Sequence, residues 1–230
     1  MELNLLKKII EADPELYPIF KGCPDEILSH GQINEYRSGT VICRQGDIID
    51  CLYIVIDGYA DIYFMAENGN KYSQAIIQKG QFIGEFEIFD HRPIICSATA
   101  LTSLKLLQIK YGSFMDWLKV DNHICIALIK YLCNRSYYFS QKAGTDTLYS
   151  LKARLCGYLL SRCPLPNQVG GILLKVDKDK LSEEFAVTIR SINRVLQFLK
   201  TENIIDIEND SIMIKDLKQL AQEEQNSKLR

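Results

Sequence analysis

Gly39-Thr40-Val41-Ile42-Cys43-Arg44-Gln45-Gly46-Asp47 alternates apolar and polar residues and stops at a glycine followed by an acid. Two stretches of the same style follow: Leu52-Tyr53-Ile54-Val55-Ile56-Asp57-Gly58-Tyr59-Ala60-Asp61-Ile62 and Gly80-Gln81-Phe82-Ile83-Gly84-Glu85. Single glycines at Gly39, Gly46, Gly58, Gly69, Gly80 and Gly84 break short β-branched and aromatic segments. This spacing describes an antiparallel roll of short strands with a glycine at most corners. Such corners often need φ > 0, which glycine adopts cheaply. Asn68-Gly69 reads as a hairpin turn between strands Tyr59–Phe64 and Tyr72–Ile77. Cys96–Thr102 and Ser103–Ile109 read as the last strands of the roll.

The 230-residue chain has room for one large domain or two ordinary ones. Its net charge of −2 means that any basic surface for nucleic acid must be local. No apolar run is long enough to cross a bilayer, and the amphipathic, acid-containing start Met1–Glu11 does not read as a signal peptide. A cytoplasmic protein with no membrane partner is expected. The eight cysteines (23, 43, 51, 96, 125, 133, 156 and 163) are scattered, with no C-x-x-C pair and no zinc spacing. In a reducing cytosol most of them read as small buried hydrophobes.

Residues 1 to about 30 read as one or two short helices punctuated by Pro14, Pro18 and Pro24. Residues from about 112 to 143 read as a short helix and then a long one. Ile124-Cys125-Ile126-Ala127-Leu128-Ile129 is apolar on every face, and such a helix must be covered on every side. Gly144-Thr145-Asp146-Thr147 is expected to interrupt it as a hinge, with Thr145 or Thr147 capping the next helix. Leu148, Leu151, Leu155 and Leu159 then fall at helical spacing, Pro164–Gly171 reads as a loop, and Ile172–Val176 as a short strand.

Asp179–Lys200 reads as two helices around a tight turn. Leu181 and Phe185 face the core from the first, Ala186-Val187 make the turn, and Thr188 caps the second. Ile192, Val195, Leu196 and Leu199 form the buried stripe of that second helix. Its other side carries Arg190, Ser191, Asn193, Arg194 and Gln197. From Thr188 to Lys200 there are three basic residues and no acid, whereas Asp177–Arg230 holds nine basic against eleven acidic residues. Basic charge is thus focused on one helix of an acidic domain. A major-groove reader needs this combination: Arg for guanine edges, Asn or Gln for adenine, and small hydroxyls for phosphate.

Together the segments 39–47, 52–62 and 80–85 resemble the cyclic-nucleotide-binding, cupin-like domain. With Ile189-Arg190-Ser191-Ile192-Asn193-Arg194-Val195-Leu196, which looks like a family recognition helix, the chain resembles a CRP/FNR-type bacterial transcription regulator over nearly its whole length. Asn203–Ile207 and Ser211–Ile214 look like that family's β-wing. The resemblance implies an α+β protein: an effector-sensing β-roll with N-terminal helices at 1–111, a dimerisation helix and hinge at 112–144, and a winged helix-turn-helix at 145–230. It implies a homodimer on a palindromic operator in double-stranded DNA, with RNA polymerase as a further partner. Thr188, Arg190, Ser191, Asn193, Arg194 and Gln197 would be the DNA-contacting residues. Ile124, Leu128, Tyr131 and Tyr138 would face a second copy, the alternative being a helix buried within one large monomer. Two departures matter. Ile189 stands where an arginine is common, which suits a thymine methyl and an unusual half-site. Ala186 stands where the turn usually holds glycine, at a cost of roughly 1 kcal/mol if φ is positive there.

The resemblance also places an effector pocket at Gly84, Glu85, Phe86, Cys96, Ser97, Phe139 and Ser140. Relatives that bind a cyclic nucleotide carry an arginine directly before a Ser-Ala run, which pairs with the phosphate. Here that position is Cys96, and a buried phosphate without a cation is heavily penalised. Arg92 lies four residues earlier, and Arg92 or His91 is the only evident cation for Glu85 and Glu87. Phe86, Ile88, Phe89, Ile94 and Ile95 make the loop apolar, and Tyr138 and Phe139 stand where relatives offer small hydroxyls. Phe82–Ile88 also looks like a subfamily without cyclic-nucleotide use. Cyclic AMP is therefore not the expected effector. An uncharged small molecule, a redox or metal signal through cysteine, or a constitutive dimer all remain open. An iron–sulfur or thiol sensor with the same DNA output is the alternative reading, although Cys23 is the only cysteine near the N-terminus. A metal-dependent cupin enzyme would need clustered ligands, and His30, His91 and His123 are not spaced for that. No nucleophile-elbow, Walker or Rossmann motif appears either, so neither a catalytic nor a metal-binding residue is assigned.

Overall fold

The computed structural model describes residues 3–163, 172–208 and 211–228, so the expected loop Pro164–Gly171 lies outside the described residues. The chain divides into two compact units, Met1–Ser136 and Tyr137–Arg230.

The first unit begins with α1 (Leu3–Ala12), α2 (Tyr17–Phe20) and α3 (Asp25–His30), three helices where the prolines suggest one or two. Eight strands follow: β1 (Gln32–Tyr36), β2 (Val41–Cys43), β3 (Cys51–Asp57), β4 (Ala60–Met65), β5 (Lys71–Ile77), β6 (Phe82–Ile83), β7 (Ser97–Ala100) and β8 (Leu104–Lys110), with α4 (Glu87–Asp90) between β6 and β7. They form two antiparallel four-stranded sheets, ordered β1-β8-β3-β6 and β2-β7-β4-β5. Every glycine read as a corner has positive φ, from +74° at Gly80 to +91° at Gly46. At Gly58, between β3 and β4, a Cβ would lie 2.2 Å from the Ser103 carbonyl oxygen, so both the conformation and the space require glycine.

Strand β3 shows how the roll is filled. Its side chains alternate between two faces, and both faces are covered. Cys51, Tyr53 and Val55 point into the space between the sheets, with Ile62, Ala98, Leu104 and Leu106. Leu52, Ile54 and Ile56 lie in a second core with Leu107 and Ile109, roofed by helical residues including Phe114, Trp117, Ile124 and Leu128. The unbroken apolar run Leu52–Ile56 follows from this double burial.

Helix α5 (Tyr111–Val120) leads into α6 (Asn122–Leu148). Buried Asp121 joins them, accepting from the Trp117 indole at 3.0 Å and the His123 backbone N–H at 2.8 Å. The expected interruption at Gly144 is absent, and α6 runs unbroken to Leu148. Lys142 and Asp146 form an i, i+4 ion pair across the glycine at 3.2 Å, which helps offset the roughly 1 kcal/mol helical cost of Gly144. Thr145 donates back to Gln141 O at 2.9 Å, so it caps nothing. The cap of the next helix is Ser150, whose hydroxyl accepts from Ala153 N–H at 3.2 Å.

The second unit adds α7 (Leu151–Ser161), β9 (Ile172–Lys175), α8 (Lys178–Phe185), α9 (Ile189–Thr201), β10 (Ile205–Glu208), β11 (Ser211–Ile214) and α10 (Leu217–Lys228). Its strands pair antiparallel in the order β10-β11-β9. Leu155, Leu159, Leu181, Phe185, Ile192 and Leu196 are among the residues of its core.

Candidate nucleic-acid interface and effector pocket

Helix α8 starts where the Asp177 carboxylate accepts from the backbone N–H groups of Asp179 (3.0 Å) and Lys180 (3.1 Å). It ends at Ala186, whose φ of +52° is the left-handed value that a glycine-type turn demands. The turn is held by Val187 N–H donating to Ser182 O at 3.1 Å and by the Ser182 hydroxyl donating to Val187 O. Thr188 then caps α9, accepting from Ser191 N–H at 3.2 Å. Ile192, Leu196 and Leu199 are fully buried and Val195 nearly so. The opposite face leaves Arg190, Arg194 and Gln197 exposed, with Ser191 and Asn193 half-buried. The α9 residues read as a contact face thus do share one, and Thr188 sits at its head.

One part of the charge pattern changes. Lys200 is paired with Asp206 of β10 at 2.9 Å, and Lys215 of the wing meets the same carboxylate at 3.2 Å. These two lysines hold the Asp206 carboxyl below its ordinary range. Among the described residues, the basic charge on α9 without a carboxylate partner is therefore that of Arg190 and Arg194. The β10–β11 hairpin pairs Ile205 with Ile214 and Glu208 with Ser211.

In the roll, β6 leads through Gly84 (φ +85°) into α4. A Cβ on Gly84 would lie 2.7 Å from the Ile49 side chain. Glu85 is 4% exposed. Its cation is neither Arg92 nor His91. Arg92 is an exposed side chain beside Asp90 at 3.4 Å, whereas Glu85 faces Arg135 of α6, with Oε1 3.5 Å from Nε. Arg135 also donates to the Tyr131 hydroxyl at 3.0 Å, and Tyr131 donates to Phe82 O at 3.4 Å. Burial outweighs the arginine and pushes the Glu85 carboxyl up to about 7. Glu87 accepts from Ile95 N–H at 3.0 Å. A signal for Arg135 was present in the sequence, because it continues the helical spacing Ile124, Leu128, Tyr131. A guanidinium on a core-facing stripe requires a buried acid.

Cys96 lies within electrostatic reach of Glu85, Glu87 and Arg135 in the same unit. Cys96 and Ser97 are buried, and the Ser97 hydroxyl accepts from Gln45 N–H at 2.9 Å. Desolvation pushes the Cys96 thiol up to about 11, so it stays neutral and carries no charge toward Glu85. Phe86 is 48% exposed, as are Phe89 (45%) and Ile95 (63%), so the loop is apolar but only Ile88 and Ile94 are buried. Phe139 and Ser140 belong to the second unit, where Phe139 lies against Tyr138 with centroids 5.6 Å apart and Ser140 is exposed. The half-buried thiol of Cys23 and the buried thiols of Cys43 and Cys156 are each pushed up to about 12 by desolvation. Among the described residues no group of three or more His, Cys, Asp or Glu could hold a metal ion, and no helix is long and apolar enough to cross a membrane.

Three of the four residues read as a dimer face pack within their own unit. Ile124 is fully buried and Leu128 is 4% exposed within the core of their own unit. Tyr131 packs edge-on to Phe82 at 5.0 Å. These three side chains are taken up by the roll. The bare apolar positions on the first half of α6 are Ile126 (53%) and Ile129 (59%), with exposed Cys133 one turn on, and further along Tyr137 (68%), Tyr138 (49%) and Leu148 (77%) are exposed too.

With this geometry in view, residues 33–121 match the cyclic nucleotide-binding domain and residues 153–223 match the Crp-like helix-turn-helix domain. The cAMP-activated global transcriptional regulator CRP of Salmonella typhimurium is 22% identical over 191 residues, covering 81% of this chain and 91% of that protein. A CRP-like cAMP-activated global transcriptional regulator of Mycobacterium tuberculosis is 24% identical over 191 residues, covering 81% and 85%. Among solved structures, the c-di-GMP responsive global regulator CLP of Xanthomonas campestris has a TM-score of 0.71 at 20% identity, covering 82% of this chain and 95% of that one. A CRP/FNR-family regulator from Thermus thermophilus has a TM-score of 0.66 at 23% identity, covering 85% and 100%. Two matched domains in this order, with the antiparallel roll, the long helix and the helix-turn-helix that carry them, make the chain a member of the CRP/FNR family of transcription regulators.

Proposed function

We propose that the protein is a homodimeric regulator that binds a palindromic operator through α9 and is controlled by a small-molecule signal, other than cyclic AMP, sensed in the β-roll. The observation that carries the DNA half is the bare Arg190–Arg194–Gln197 face on a helix whose other side is fully packed. Arg194 would read a guanine edge, Asn193 and Gln197 would read adenine, and Thr188, Arg190 and Ser191 would add phosphate and edge contacts. Two such helices read half-sites about one helical turn apart. Ile126 and Ile129 would meet a second copy, and the protein would work in the cytoplasm with RNA polymerase as a further partner and no catalytic role of its own.

The effector half rests on Cys96. Related proteins are described as cAMP-activated, c-di-GMP responsive or complexed with OCPA, so the fold alone does not name the ligand. A cyclic phosphate set against a neutral, buried Cys96 thiol would lack its counter-ion, while Arg135 is engaged with Glu85 and Tyr131. Gly84, Glu85, Phe86, Cys96 and Ser97 of the roll stay our candidates for the effector site.

The test is fluorescence anisotropy on an operator selected from random duplexes, with thermal melting in parallel. Saturable, sequence-selective binding by a dimer supports the reading. Binding without sequence preference overturns the operator assignment. A rise of several degrees in Tm with cyclic AMP overturns the effector assignment.

A further inference from the structure

The second unit holds a cavity of about 420 Å³ that neither DNA contact nor the roll uses. It lies among the last turns of α6, helix α7, the end of α8 and helix α10, a size within the range of small-molecule sites. Tyr138, Tyr149, Tyr158 and Phe185 supply rings to its wall.

Its charged groups are unevenly matched. Asp146 takes both Lys142 (3.2 Å) and Arg154 (2.9 Å). Lys142 also donates to the main-chain carbonyl of Glu184 at 3.2 Å, and Arg154 to that of Phe185 at 3.4 Å. Glu224 takes Lys228 at 2.6 Å. The Glu184 carboxylate is the exception, having no hydrogen bond or ion pair among the described residues. Its burial raises its pKa, an effect that the charges of Lys142 and Arg162 temper without cancelling.

A half-buried carboxylate with no hydrogen bond or ion pair among the described residues, beside several aromatic rings, is suited to an organic cation. The ammonium would neutralise the carboxylate through charge-assisted bonds, and the rings would cover the rest by cation–π and apolar contact. An anion would have to break the Asp146 or Glu224 pairs to reach a cation, and would leave Glu184 unmatched.

We propose that this cavity binds a small organic amine, with its ammonium group on Glu184. Glu184 lies two residues before the Ala186 turn of the helix-turn-helix, and Lys142 and Asp146 belong to the end of α6. A bound amine would therefore tie the end of the long helix to the helix-turn-helix, giving the DNA-binding unit an input of its own. The proposal is independent of what the roll senses and of the operator sequence.

The test is isothermal titration and thermal melting of the full chain with tyramine and hexylamine, using 4-hydroxyphenylacetate as the ring-matched anion. At least one amine should bind saturably and raise Tm by several degrees, while the acid should do neither. Glu184→Gln should weaken amine binding at least about tenfold. Thr145→Trp, which fills the cavity from its wall and keeps Glu184, should abolish it, and this variant carries the test alone if Glu184→Gln does not fold. The proposal fails if neither amine binds saturably in the millimolar range, if the acid binds as well, or if a folded variant binds the amine as tightly as the parent.

Discussion

Helices α9 and α6 are both amphipathic in fact but not in the same sense. On α9 the apolar stripe Ile192–Leu196–Leu199 is completely covered and a polar face is left bare. On the first half of α6 the stripe Ile124–Leu128 is equally covered, but the face left bare carries Ile126 and Ile129. A bare face of arginine and amide groups is stable in water and also matches a polyanion with readable edges. A bare face of isoleucines is costly in water and calls for another apolar surface. The difference is the reason α9 is proposed as the helix that meets DNA and α6 as the one that meets a second copy.

Leu128 and Ile129 are neighbours in sequence that face opposite ways. Leu128→Ala should cost about 2–5 kcal/mol of stability, because it empties a packed site. Chemical denaturation would measure it, and a loss below about 1 kcal/mol would contradict the core assignment. Ile129→Asp should leave the fold intact and yield monomers by sedimentation, whereas a stable dimer carrying it would remove α6 from the interface.

The next test concerns the pair inside the roll. Glu85 has a raised carboxyl, at about 7 against an ordinary 4.5. The folded state therefore holds its proton more tightly than the unfolded chain does. This contribution to stability is fully present below about pH 4.5 and is lost as pH rises through about 7. The effect is on the order of 3 kcal/mol at most. Thermal melts of Glu85→Gln should show a flatter decline between pH 5 and 7.5 than the parent, and parallel curves would mean that Glu85 titrates normally.

Arg194→Ala tests the bare face of α9. Operator binding should fall by roughly 1–3 kcal/mol without a change in the dimer, and unchanged affinity would sink the recognition-helix assignment. The smallest expected effect is at the turn. Ala186→Gly relieves a left-handed alanine at φ +52° and should stabilise the second unit by up to about 1 kcal/mol, less whatever the freer unfolded chain takes back.

The fold was legible wherever a signal repeats within a few residues. The alternation in Gly39–Asp47, the corner glycines, the Asn68-Gly69 turn and the two stripes of Asp179–Lys200 all lie within single elements, and each produced the expected element. At Ala186 the condition set for a strained turn is met, with φ at +52°. Gly144 misled, because a glycine weakens a helix without ending it, and the Lys142–Asp146 pair spans the weak point.

The candidate sites were legible as lists of residues and less so as arrangements. Nothing near Glu85 in the chain announces Arg135, 50 positions away, and nothing in Thr188–Lys200 announces that Asp206 of β10 takes the charge of Lys200. An all-apolar run such as Ile124–Ile129 shows that both faces need covering without showing which face meets the roll. Periodicity, corner chemistry and capping act over one or two turns of backbone, so they can be read in order along the chain. Charge partners and the choice of covered face depend on which elements come to lie together, and that is settled when the core closes.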